Sequence, residues 1–81
     1  MALTDRERVV LFRMIKEGAL TEAVNDEIRG DDVKARETIA EFKVNRLDAI
    51  AMILPKLIAS ADVSQRAVQE ILDLKELLEN V

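Results

Sequence analysis

The chain has 81 residues and a net charge of −4, with no cysteine or histidine, two glycines and one proline. That excludes disulfides, thiolate metal sites, Ser-His and Cys-His nucleophile pairs and any glycine-rich phosphate loop. A single domain of this length, 1–81, buries a modest fraction of its surface, and the usual supports are disulfides, a metal or oligomerisation. With the first gone and the commonest transition-metal ligand missing, oligomerisation is the support to expect.

Hydrophobic residues make up 49% of the chain but aromatics only 2%, so the core must be built from Leu, Ile, Val, Ala and Met. Such a composition suits helices packed on helices, and strand and hairpin signals are weak. The first helix is expected at about 5–17. Thr4 and Glu7 form a capping-box pair, Leu11, Met14 and Ile15 supply an apolar face that Val9, Val10 and Phe12 broaden, and Gly18 is the natural residue past its end. A short second helix at about 22–29 follows Thr21, with Ala23, Val24 and Ile28 as its apolar residues and Gly30 closing it. Seven or eight residues cannot hold a helix by propensity, so this one must dock on another.

The acidic run around its end, NDEIRGDD, superficially matches a calcium loop counted from Asn25. The fifth and twelfth positions would then be Arg29 and Arg36, and a cation at either defeats the site. Asp31 or Asp32 reads instead as the cap of the next helix.

From Val33 the apolar spacing becomes long and regular. Val33, Ala40, Val44, Leu47, Ala51, Leu54, Ile58 and Ala61 follow one step of seven and then steps of four and three, an a/d-type seam. It implies one helix over about 33–60, continuous through Asn45 and bent at Pro55. Within it, Leu47 to Ala61 is apolar on nearly every side. A second row, Ile50, Ile53 and Leu57, widened upstream by Ile39 and Phe42, runs beside the seam. Two apolar rows need two sets of neighbours. The expectation is that the last helix, from Asp62 or Ser64 to about 79, folds back antiparallel over the seam, presenting Ala67, Ile71, Leu74, Leu78 and Val81. The other row is left for the N-terminal helices or a second subunit. The expected homodimer interface is therefore Leu47, Ile50, Ile53, Leu54, Leu57 and Ile58.

The fold class read from these elements is all-α: a small bundle of two short N-terminal helices, a long bent helix and its antiparallel C-terminal partner, completed by dimerisation. Charge alternates along the chain, with +2 over 1–16, −5 over 17–32, +2 over 33–56 and −3 over 57–81. Opposite signs suit neighbouring helices. No constellation for catalysis emerges, and no cofactor is implied. The functional expectation is a non-enzymatic protein–protein interaction module. It would partner itself and a further protein, the latter through the acidic surface of 17–32 or of the last helix.

The alternative is a helix-turn-helix transcriptional regulator. SADVSQRAVQEIL, residues 60–72, matches a turn and recognition helix, with Gln65, Arg66 and Gln69 as the DNA-contacting residues. Asp62 where glycine is usual, bulky Ile58 where a small residue is wanted, and the acidic balance of the last helix all weaken it, because duplex binding rests on neutralising phosphates. No membrane span is expected, since the apolar run is broken by Asp48, Pro55 and Lys56 and is shorter than roughly 20 residues. The N-terminus shows no signal-peptide pattern, which points to the cytoplasm. The stretches MALTDRERVV, RMIKEGALTEAVNDEIRGDD and LPKLIASADVSQ resemble short proteins of enterobacterial phages and prophages. That resemblance implies a bacterial cytoplasm and an accessory, host-manipulating role, and it carries no functional residues over.

Overall fold

The computed structural model describes residues 2–81 and contains four helices: α1 (Asp5–Lys16), α2 (Glu22–Ile28), α3 (Asp32–Ala59) and α4 (Gln65–Glu79). Each begins at a residue whose side chain accepts a hydrogen bond from a main-chain N–H. The caps are Thr4, Thr21, Asp31 and Ser64. At Thr4 the box is complete: the Glu7 N–H donates to Oγ1 at 3.2 Å, and the Thr4 N–H donates to Glu7 Oε1 at 2.8 Å. α1 ends in a Schellman motif, with Gly18 at φ 77°. The Gly18 N–H donates to Ile15 and the Ala19 N–H to Met14, closing the carbonyls the helix leaves open. Gly30, by contrast, does not occupy the left-handed region.

α3 runs unbroken through Asn45 and Pro55. Its 28 residues span roughly 42 Å, nearly the whole 45 Å long axis of the molecule. The radius of gyration is 14.1 Å, whereas a compact chain of this length would have about 12 Å. The excess comes from a hairpin that outruns its support. α4 returns antiparallel along α3 as far as Lys43, whose Nζ donates to the main-chain oxygen of Val81 at 3.1 Å. α1 and α2 cover only the other end of α3.

The core consists of Val10, Leu11 and Met14 of α1, Leu20 of the following turn, Ile28 of α2, Ala35, Ile39, Phe42 and Ile50 of α3, and Leu74 and Leu78 of α4. No polar or charged residue lies in it. Two ion pairs set α1 on α3: Glu7 with Arg36 and Glu17 with Arg46, each at 3.0 Å. Both partners advance ten residues from one pair to the next, so the two helices run parallel in register. Arg36 also donates to the Ala2 carbonyl, and the Arg46 guanidinium lies 4.9 Å from the centre of the Phe42 ring.

One expectation is corrected here. The regular seam of α3 is not buried as a row: Leu47 and Leu54 are half-buried against the core and the rest is open. Val33, Val44 and Ile58 are exposed, as are Ala40 and Ala51, while the buried row is Ala35, Ile39, Phe42 and Ile50. Downstream of residue 47 both rows are apolar and either could be chosen. Upstream, one row offers Ile39 and Phe42 and the other Ala40 and Val44. Burying the larger side chains removes more apolar area from water; downstream, beyond the cover of α1 and α2, Ile53 of that row is 46% exposed and Leu54 of the seam is half-buried.

Candidate functional site

A site for chemistry would need polar groups held in an enclosed, partly desolvated setting that shifts their protonation. The buried residues are all apolar. The Glu7 carboxyl is held below its ordinary range, chiefly because the Thr4 N–H donates to it, with Arg36 adding to the effect. That group is a helix cap bonded to a cross-helix arginine, so its role is structural. No group of three or more metal-ligating side chains occurs among the described residues, and no described helix is long and apolar enough to cross a membrane.

The exposed apolar surface is the stronger feature. No residue from 51 to 73 is buried. Over most of this stretch α3 and α4 have only each other, α1 approaching α4 near Glu70, and two helices cannot enclose residues that are apolar on several sides. Met52 is 74% exposed and Ile58 67%, with Ile53 and Leu72 also open. Leu54 and Ile71 are half-buried and pack against the edge of the core. At the hairpin tip, Leu57, Ile58, Val63 and Val68 line a cleft of about 430 Å³ whose polar rim includes Gln65 and Gln69. A second cleft, about 420 Å³, lies between α1 and α2 over Leu11, Phe12, Ile15 and Ile28, with Arg8, Arg29 and Asp32 around it.

The six residues expected at a dimer interface divide into three groups. Ile50 is 4% exposed and enclosed by its own chain, so it has no surface to offer a partner. Its row is turned inward only as far as Ile50. Leu47, Leu54 and Leu57 are half-buried, and Ile53 and Ile58 are open. The three residues of the DNA reading are exposed on the first turns of α4, but two are engaged along the helix. Arg66 lies 3.6 Å from Glu70, and Gln69 donates to Asp73 at 2.9 Å. α4 also lies alongside α3 over its whole length, whereas a recognition helix crosses its partner at about 90–120°.

Sequence reasoning missed the paired clamps Glu7–Arg36 and Glu17–Arg46. Their signal was present as equal ten-residue spacings on two helices, but nothing local says which helix faces which. Compared with known proteins, the chain matches no family model, no curated protein and no solved structure.

Proposed function

We propose that this protein is a non-enzymatic interaction module whose chain self-associates through the exposed apolar surface of the α3–α4 hairpin. The observation that carries the reading is the stretch from 51 to 73, rich in apolar residues and with none of them buried. Exposed apolar area on this scale marks an interaction surface more often than a free one. The core without a single polar group supports the non-enzymatic part. A bacterial cytoplasmic setting and an accessory phage role belong to the same proposal, on the strength of the sequence resemblance.

Light scattering on a sizing column tests it. The expected mass is about twice the 9.1 kDa of the chain, rising toward that value with concentration. Ile58→Asp, at a position 67% exposed, should leave the fold intact and return the mass to that of one chain. A single-chain mass at every concentration would overturn self-association. Retardation of duplex DNA that weakens steeply with salt would favour the regulator instead.

A further inference from the structure

We infer that the second copy lies antiparallel along the outward seam of α3, with the two-fold axis near residue 49; this rests on the self-association proposed above. The seam is Ala40, Val44, Leu47, Ala51, Leu54 and Ile58. It runs for roughly 27 Å along the helix without a charged residue. Val44 is 57% exposed and Ile58 67%. Leu47 and Leu54 are half-buried and pack on the protomer's own core, so a helix laid on the seam would extend that core.

Side-chain size selects the orientation. In an antiparallel pair each a position meets a d position of the other helix. That sets Ala40 opposite Ile58, Val44 opposite Leu54 and Leu47 opposite Ala51. Ala40 and Ala51 thus each meet a large side chain. A parallel pair would set alanine on alanine at two levels and leucine on leucine at two others, and no single interhelix distance packs both without voids.

Charge agrees. A parallel pair would need Arg36 and Lys43 to reach across to Glu41 and Asp48. Arg36 is held by Glu7, and Lys43 by the main-chain oxygen of Val81. The antiparallel arrangement asks for neither contact and leaves both of these bonds in place. The flanking Glu41 and Asp48 disfavour an anionic lipid surface or nucleic acid as occupant.

The edge of α4 contributes at the tip, where Val68 shares a cleft with Ile58. At the roughly 11 Å width of one helix, the face covers about 300 Å² per chain. A standard interface takes about 800 Å² per partner, so the dimer should be weak and concentration-dependent.

The chain has no cysteine, so introduced ones report without interference. Ala40→Cys and Ile58→Cys proteins, mixed under mild oxidation, should form the mixed disulfide in preference to either self-linked species. Self-linked Ala40→Cys as the main product would overturn the antiparallel arrangement. Val44→Asp should weaken association at least ten-fold in sedimentation equilibrium, with helical content unchanged. Asp48→Asn should tighten it, because the two Asp48 side chains flank the axis. A dimer indifferent to Val44→Asp would overturn the seam while leaving self-association standing. A monomer at all concentrations would overturn both, and so would a monomer that binds neutral lipid vesicles.

Discussion

Replacing Ile28 by alanine should release α2 from the bundle before the rest unfolds. α2 has seven residues, and Ile28, 1% exposed, is its only buried side chain. A helix this short is unstable alone, so its position depends on that contact and on Leu20 in the preceding turn. The substitution removes three carbons, worth about 2.4 kcal/mol at roughly 0.8 kcal/mol each. A cavity term would normally raise this toward the top of the 2–5 kcal/mol range seen for Ile→Ala, at about 24 cal/mol per Å³ of void. Here Ile28 also floors the open cleft beside Leu11, Phe12 and Ile15, which can relax or admit water. The expected loss is therefore about 2.5–3 kcal/mol, a large share of the roughly 4–12 kcal/mol typical of a domain this size. Urea unfolding gives the total. Amide hydrogen exchange separates α2, whose protection should collapse, from α3 and α4, whose protection should fall only by the global loss. A cost under about 1 kcal/mol, or α2 amides that stay as protected as those of α3, would refute the view that one side chain anchors this helix.

The two glycines should respond oppositely to alanine. Gly18→Ala forces a left-handed backbone on an L-residue with no neighbour to clash, so thermal unfolding should show a loss of about 1–2 kcal/mol. Gly30→Ala has open space and no such backbone demand, and should be neutral or stabilise by about 0.4–1 kcal/mol. Pro55 sits inside α3 on an exposed position. Pro55→Ala restores a bond to the Ala51 carbonyl and should raise stability by about 1–3 kcal/mol, less a fraction for the freer unfolded chain. A clear loss in urea unfolding would show that the proline sets how α3 lies on its partners. Glu7→Ala should cost about 1 kcal/mol near neutrality, measured by denaturation. Because the folded chain holds the Glu7 carboxyl below its ordinary range, its contribution is complete above the unfolded pKa of about 4.3. It fades as pH falls through the folded value, so wild type and Glu7→Ala should converge in strong acid.

Much of the architecture was legible because it is local. Thr4, Thr21, Asp31 and Ser64 bond to N–H groups three residues on, and that geometry is encoded in a few consecutive residues. Gly18 is similar, since its conformation follows from ending a helix. The antiparallel return of α4 followed from a short polar turn between two apolar rhythms. The candidate site was half legible. Leu47 to Ala61 stood out as too apolar for one neighbour, and Ile53 and Ile58 are indeed open.

By itself, then, the sequence determined four helices, their caps and an excess of apolar surface in the middle of the long one. Only the tertiary structure decided which row of α3 turns inward. That choice compares the area buried by Ile39 and Phe42 with that offered by Ala40 and Val44, and it holds as far as Ile50, beyond which Ile53 of the same row is open. The same choice placed Ile50 in the core, set Glu7 on Arg36 and Glu17 on Arg46, and left Ala40, Val44, Ala51 and Ile58 of the seam exposed. Helical periodicity records which residues share a face, but the partner of that face depends on contacts between residues far apart in the chain.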